Sequence, residues 1–329
     1  MVRILAPNDD VLTKAAAVLL DGGLVAFPTE TVYGLGANAH DGVAVARIFA
    51  AKGRPSFNPL ISHGDSLDML RAEAVFDDRA LSLADKFWPG PLTMILPRAV
   101  TGKICDLVCA GLPTVALRVP NHPVALALIA AAGVPIAAPS ANASGGLSPT
   151  SPRDVVESLG ENIEMIIAGG ATQYGLESTV VDLSGPDTVI VRPGAVTAED
   201  IADVLGCVVT YDLDAKEKPR SPGQLLRHYA PRTPVRLRAV DVAAGEALLA
   251  FGSTKFMGVR GGGRVDDMAE DSLRNLSDKG DLLEAAANLF AYLRALDNGT
   301  HSAIAVMDIP NIGIGIAIND RLKRAADSQ

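Results

Sequence analysis

Cysteine is scarce in this chain: among 329 residues there are three, Cys105, Cys109 and Cys207. A disulfide framework needs more cysteines in a shorter chain, and a structural zinc site needs more ligands. All three therefore read as reduced thiols of a cytosolic protein. Positive charge is also in deficit, with a net charge of −9. Affinity for RNA or DNA comes largely from cations that neutralise phosphates, so strong direct nucleic-acid binding is not expected. A mildly acidic surface chiefly serves solubility, and it leaves room for a local basic pocket that takes one small polyphosphate. No run reaches the roughly 18 apolar residues of a membrane span, and residues 1–10 have no apolar segment of signal-peptide kind. A cytoplasmic location is the resulting expectation.

Two nucleotide-binding signatures are missing as well. There is no G-x-x-x-x-G-K-[ST] run and no G-x-G-x-x-G opening a helix; Gly313-Ile314-Gly315 is too short to count. No Ser-His-Asp or Cys-His arrangement marks a protein nucleophile. What is present is an apolar fraction of 48% beside 20% charged residues, a mixture that can bury a substantial core. The length suits two domains of roughly 150 residues each.

Over the first two thirds, helix-like and strand-like segments are mixed. Residues 11–21 are rich in Ala and Leu and stop at Gly22-Gly23, and 43–51 read as a helix closed by Gly53. Residues 24–27, 59–62, 92–96, 115–119, 134–138, 165–167, 180–183 and 189–191 read as buried strands. Ser151-Pro152-Arg153-Asp154 and Thr197-Ala198-Glu199-Asp200 are helix starts, with a hydroxyl at the N-cap and acids facing the helix dipole. This mixture predicts an α/β domain over 1–211. Residues 212–234 are rich in proline and basic residues and read as a linker. A smaller α/β unit over 235–329 follows. Its clearest helix, 281–296, puts Leu282, Ala286, Leu289, Leu293 and Leu296 on one face; a strand over 303–309 and a helix over 316–326 complete it.

The loops are more telling than the elements. The run 28–36, Pro-Thr-Glu-Thr-Val-Tyr-Gly-Leu-Gly, crowds hydroxyls and glycines after a strand; alone, such a turn is more often structural. Lys52-Gly53-Arg54 closes a helix, with Asn58 and His63 behind it. Two cations around a glycine can converge on one polyanion. A cation at a helix C-terminus is also favoured by the dipole, which covers Lys52 but not Asn58 or His63. Trp88-Pro89-Gly90-Pro91 reads as a packing anchor. Thr114 leads into a strand that ends on Arg118, Ala138, Ser140 and Asn142 end another with Ser148 behind, and Ser178 and Arg192 complete the set. Strand after strand ending in a basic or hydroxyl residue fits a ligand held across the mouths of strands in an open sheet. Lys52, Arg54, Arg118 and Arg192 would supply positive charge, and the hydroxyls would orient phosphate oxygens or a metal-bound water.

At these residues the chain resembles a known family, the two-domain threonylcarbamoyl-AMP synthases, which join a YrdC-type catalytic domain to a smaller C-terminal domain. PTETVYGLG at 28–36, the K-x-R of Lys52 and Arg54, NPL at 58–60, WPGPLT at 88–93, the S-x-N of Ser140 and Asn142, GLEST at 175–179 and RPG at 192–194 stand in family order and spacing. Seven collinear motifs are highly specific, and HYAP at 228–231 is the mark of the two-domain branch. The resemblance implies an α/β fold: a YrdC-like twisted open sheet with flanking helices, then a smaller Rossmann-like α/β domain. It implies an ATP-using nucleotidyltransferase that condenses L-threonine, bicarbonate and ATP to threonylcarbamoyl-AMP and pyrophosphate. Mg2+ would enter on the ATP phosphates, with no protein metal site. The product serves N6-threonylcarbamoyladenosine formation next to the tRNA anticodon, and a separate tRNA threonylcarbamoyltransferase complex receives it.

Site residues carry over from the family position by position. Thr31, His63, Arg118, Ala138 and Ser178 look like the threonine site. Lys52, Arg54, Asn58, Thr114, Ser140, Ser148 and Arg192 look like the ATP site, and Lys52, Arg54, Ser140 and Asn142 like its catalytic core. Tyr229 resembles a residue that folds over ATP, which makes 212–234 an active-site lid. One departure stands out: where many members read P-G-M-K-Y, this chain has Pro222-Gly223-Gln224-Leu225-Leu226, without the lysine but with Arg227 adjacent. Two rival readings are weaker. A module that only holds nucleotide or double-stranded RNA would be expected to lack the K-x-R or S-x-N residues. Carbamoyl-transfer enzymes of hydrogenase maturation carry zinc-finger and acylphosphatase-like domains in addition.

Overall fold

A computed structural model of the chain describes residues 3–213, 229–255 and 257–327. Most of the expected lid, including Pro222 to Leu226, Arg227 and His228, lies outside the described residues. The rest fall into two compact units. Of the described residues, unit 1 draws on 3–144, 148–173 and 177–213, and unit 2 on 145–147, 174–176, 229–255 and 257–327.

Unit 1 runs β1 (Arg3–Leu5), α1 (Asp9–Leu20), β2 (Val25–Phe27), β3 (Gly34–Asn38), α2 (Gly42–Lys52), β4 (Ile61–His63), α3 (Leu67–Arg71), α4 (Asp78–Phe87), β5 (Leu92–Pro97) and β6 (Thr114–Arg118). It continues through α5 (Pro123–Ala132), β7 (Ile136–Ala137), α6 (Pro152–Leu159), β8 (Met165–Ile167), β9 (Thr179–Asp182), β10 (Thr188–Arg192), α7 (Ala198–Leu205) and β11 (Val209–Tyr211). Among the described residues these strands form one eleven-stranded sheet in the order β1-β8-β2-β3-β7-β4-β6-β5-β9-β10-β11. The sheet is mixed: β4 and β6 are parallel, whereas β7 is antiparallel to both β3 and β4.

Helix boundaries follow from local chemistry. Ser151 and Thr197 each form a capping box with the acid three residues on, Asp154 and Asp200. Strand β3 was expected as part of a loop, because Gly34 and Gly36 have poor strand propensity. Packing decides otherwise: a Cβ on Gly36 would lie 2.8 Å from the Phe27 ring and 2.9 Å from Ile136 Cγ2, so only glycine lets these strands close up.

Alternation along the strands sets the faces. Leu35, Ala37, Ala137, Leu117, Met94 and Val181 join the main core on one face. The opposite face carries two smaller apolar clusters, one around Phe27, Ile136 and Ala138 and one around Ile61, Ala116 and Ile95. His63 and Arg118, two residues beyond Ile61 and Ala116, belong by strand parity to this second face.

Unit 2 comprises β12 (Val235–Arg236), β13 (Asp241–Val242), β14 (Glu246–Ala250), β15 (Gly258–Val259), β16 (Leu273–Asn275), α8 (Leu282–Leu296), β17 (Ala303–Val306) and α9 (Gly315–Asp327). Strands β12-β17-β14-β16 form an all-parallel sheet, the arrangement that helical crossovers produce. The buried side of α8 is Ala285, Ala286, Leu289, Phe290, Leu293 and Leu296. Leu282, expected on that face, is only half-buried, because Asp281 caps the helix and leaves Leu282 at its first turn.

Candidate functional site

The site starts where α2 ends. Gly53 adopts a left-handed conformation (φ 61°), and its N–H and that of Arg54 return to Ala50 O and Phe49 O at 3.3 and 2.9 Å. This glycine-terminated end leaves Lys52 on the last turn and sends Arg54 off in a new direction. Lys52 is not a solvent-facing dipole cation: it is 4% exposed. Its Nζ donates to the main-chain oxygen of Ser140 at 2.5 Å and to that of Asn142, while Ser144 N–H donates to Lys52 O at 2.7 Å. The K-x-R and S-x-N segments are therefore tied together. Burial, and then repulsion from Arg54, push the Lys52 amine well below its usual pKa, with the Glu177 carboxylate acting in the other direction.

Arg54 donates to the main-chain oxygens of Asn58 (3.4 Å) and Pro59 (3.0 Å). Asn58 is fully buried, and its side-chain oxygen and nitrogen have no partner among the described residues. Leaving such a group unsatisfied costs about 1–3 kcal/mol, which makes it a candidate for contact with a ligand. Ser148 donates to the Glu177 carboxylate, both buried.

A second cluster surrounds Arg118. His63 and Arg118 end β4 and β6 in register. Arg118 donates from Nε to Gly90 O (3.1 Å) and from Nη1 to Thr31 Oγ1 (3.0 Å), and its Nη2 lies 2.6 Å from Glu30 Oε1. Thr31 Oγ1 is also 2.8 Å from Thr29 Oγ1. Burial, followed by the Arg118 charge, holds His63 down to a pKa of about 3, so its imidazole is neutral at physiological pH. Arg192 donates to Ser178 from Nε to the main-chain oxygen and from Nη2 to Oγ, each at 3.0 Å. Thr93 Oγ1 is 2.8 Å from the same Ser178 Oγ.

The two clusters lie at opposite ends of the β4–β6 pair. Thr114 and Arg118 bound β6, about 13 Å apart at roughly 3.3 Å per residue. Arg54 meets Pro59, just before β4 begins. Because β7 is antiparallel to β4, Ala138 N–H donates to Ile61 O at 2.9 Å and Ser140 follows near the start of β4. By strand register Asn58, Thr114, Ser140 and Asn142 thus lie towards the amino end of the pair, with Lys52 and Arg54 bonded there, and His63, Arg118, Ser178 and Arg192 towards its carboxyl end. Thr31 joins the Arg118 guanidinium through its side chain, while Gly34, three residues on, bridges Ser140. A single row of strand mouths, expected from the sequence, is not what the mixed sheet builds. Arg192, grouped with the nucleotide residues in the sequence, stands here with the Arg118 cluster.

Three side chains escaped the sequence reading: Glu30, Thr93 and Glu177. Each sits inside a quoted motif, but attention to cations and hydroxyls at strand ends passed over acids and a mid-sheet threonine. Tyr229 is placed within unit 2. Its ring is 1% exposed, stacks on Phe290 at a centroid distance of 5.5 Å and has the Arg321 guanidinium 5.3 Å from its centre. Covering a nucleotide would require it to leave these contacts. Among the described residues no group of three or more His, Cys, Asp and Glu is disposed to hold a metal ion, and no helix is long and apolar enough to cross a membrane.

A family model described as telomere recombination matches residues 17–194, and one described as the threonylcarbamoyl-AMP synthase C-terminal domain matches 196–327. A threonylcarbamoyl-AMP synthase of Bacillus subtilis is 41% identical, over 98% of this chain and 94% of the relative. The chain belongs to the threonylcarbamoyl-AMP synthase family. A second threonylcarbamoyl-AMP synthase, from Pyrococcus abyssi, is 42% identical over 95% of this chain and 93% of its own length. The crystal structure of P. abyssi Sua5 complexed with L-threonine has the same two-domain α/β fold, with a TM-score of 0.87 and 37% identity over 100% of this chain and 98% of that one. Threonylcarbamoyl-AMP synthase relatives thus span both units.

Proposed function

We propose that the protein forms L-threonylcarbamoyladenylate and pyrophosphate from L-threonine, bicarbonate and ATP. The observation that carries this, beside family membership, is the division of the site. Buried cations and amides at one end of β4–β6 suit a polyphosphate, and a buried guanidinium among hydroxyls at the other suits a small amino acid. Arg118 would take the threonine carboxylate, where a planar fork is the better donor, with Thr31, His63, Ala138 and Ser178 around the remainder. Neutral His63 would engage the substrate hydroxyl without adding charge. Lys52, Arg54, Asn58, Thr114, Ser140 and Ser148 would hold ATP, and Arg192, beside Ser178, would stand between the two substrates.

The deprotonated amine of threonine adds to CO2 with loss of a proton, or to bicarbonate with loss of water, to give a carbamate, whose oxygen attacks the α-phosphate and expels pyrophosphate. No protein nucleophile is needed, so positioning and charge neutralisation carry the rate. Phosphate binding would favour the charged form of Lys52 that burial disfavours. Mg2+ would arrive on the ATP phosphates; Ser148 and Glu177 are hard oxygen donors of the type it accepts. Tyr229 and the 212–234 segment would close over the nucleotide and keep water from the labile anhydride. The product would pass to a separate tRNA-modifying complex, in keeping with the acidic composition, and the reaction would take place in the cytoplasm.

The test is pyrophosphate release by the purified protein supplied with ATP, L-threonine, bicarbonate and Mg2+. Release that persists without threonine or without bicarbonate defeats the proposal. Lys52→Ala and Arg54→Ala should each remove about 2–4 kcal/mol of transition-state stabilisation, on the scale of other donor deletions. Unfolding midpoints recorded alongside separate that loss from misfolding.

A further inference from the structure

We propose that Glu30 recognises the α-ammonium group of the substrate, so that the buried Glu30–Arg118 pair reads both charges of an α-amino acid at once. The inference rests on the threonine reading above and adds a specificity residue to it. Glu30 is 2% exposed and Arg118 3%. A buried ion pair is weak evidence of stabilisation, since desolvation can exceed the attraction between the partners; its burial among the hydroxyls of the Arg118 cluster calls for another explanation. Its hydrogen bonding is also incomplete. Arg118 has committed Nε to Gly90 and Nη1 to Thr31, yet Nη2, only 2.6 Å from Glu30 Oε1, makes no aligned hydrogen bond. Neither carboxylate oxygen of Glu30 has a hydrogen-bond partner among the described residues. An ionised carboxylate offers about four acceptor sites; here Oε1 lies against Arg118 Nη2 and Oε2 has no partner among the described residues.

An α-amino acid carries a carboxylate and an ammonium on one carbon. A guanidinium with an under-bonded carboxylate beside it complements that pattern: Arg118 Nη2 donates to the substrate carboxylate, and Glu30 accepts from the three N–H donors of the ammonium. Within the Arg118 cluster Glu30 is the side chain whose charge complements the ammonium: Arg192 repels it, and His63, held neutral by its burial, offers no charge and only the lone pair of a ring nitrogen. Glu30 also acts against the wrong ligand. A hydroxy acid of the same shape would meet the arginine but place a neutral group, or its own carboxylate, against a buried negative charge.

The experiment compares binding of L-threonine and of 2,3-dihydroxybutanoate, its analogue with hydroxyl in place of the ammonium, by calorimetry on the full chain and on Glu30→Gln. The unaltered protein should bind threonine at least about 30-fold more tightly. Glu30→Gln keeps the shape and removes the charge; it should weaken threonine at least about tenfold, leave the dihydroxy acid unchanged or tighter, and leave ATP affinity intact, with Glu30→Asp recovering part of the preference. Equal weakening of both ligands would make Glu30 a mere support for Arg118 and overturn the proposal, as would no change in either. If Glu30→Gln does not fold, the unaltered protein still decides: equal affinity for the two ligands rejects the role. Failure of the unaltered protein to bind threonine at all is a separate outcome, which removes the underlying functional reading and this proposal with it.

Discussion

His63 shows how burial converts a common side chain into a neutral one. Its pKa lies at about 3 in the fold, against an ordinary value of 6.5. Between these values the unfolded chain binds a proton that the native state does not. The contribution is therefore fully present above pH 6.5 and is lost as pH falls towards 3, at up to about 1.4 kcal/mol per pH unit. His63→Asn removes the titration, so its urea-unfolding free energy should fall less steeply than the unaltered protein's between pH 6.5 and 4.5; parallel curves would reject the burial argument. Tyr33 is a second neutral polar group. Burial raises its pKa to about 12, and its hydroxyl donates to Gly170 O at 2.8 Å while accepting from Gly169 N–H at 2.9 Å. At this scale the sequence named most of the polar residues that the two clusters contain. It did not show which of them pair, because Glu30, in the loop between β2 and β3, and Arg118, at the end of β6, are far apart along the chain and meet only in the assembled sheet.

Among the elements, some with chemical punctuation were legible, whereas α3 and α4, capped by Ser66 and Asp77, were not read. The starts of α6 and α7 follow from Ser151 and Thr197, and the end of α2 from Gly53. The same physics makes them testable. Thr197 Oγ1 accepts from Asp200 N–H at 3.1 Å, and Thr197→Ala should lower the unfolding free energy by about 1 kcal/mol with pyrophosphate release unaffected. A loss of activity without loss of stability would show that the cap is not its role. Strand β3 and helix α5 were not legible. The glycines of β3 look like turn residues until Phe27 and Ile136 pack against them, and α5 is apolar almost throughout, so it lacks the amphipathic period that marks a surface helix.

On the scale of the molecule, the contact pattern does not follow chain order, since 145–147 and 174–176 cluster with unit 2. Gly175 explains part of this. At φ 66°, an added Cβ would lie 2.5 Å from the main-chain oxygen of Ala287 on α8, so the GLEST motif begins with glycine because a helix backbone occupies the space. Gly175→Ala should destabilise the protein by about 2 kcal/mol, from overpacking and left-handed strain together, read as a lower unfolding midpoint; an unchanged midpoint would refute the close approach. By itself the sequence determined the α/β class, the family, the capped starts of α6 and α7, the glycine stop of α2 and the residue types of a candidate nucleotide and amino-acid site, since these depend on local chemistry and on motif order. Only the tertiary structure decided that Lys52 is tethered to the S-x-N loop, that the site divides between two ends of β4–β6, that Tyr229 packs within unit 2, and that Glu30 faces Arg118. Those facts depend on strand direction and long-range register, which local residue patterns do not encode.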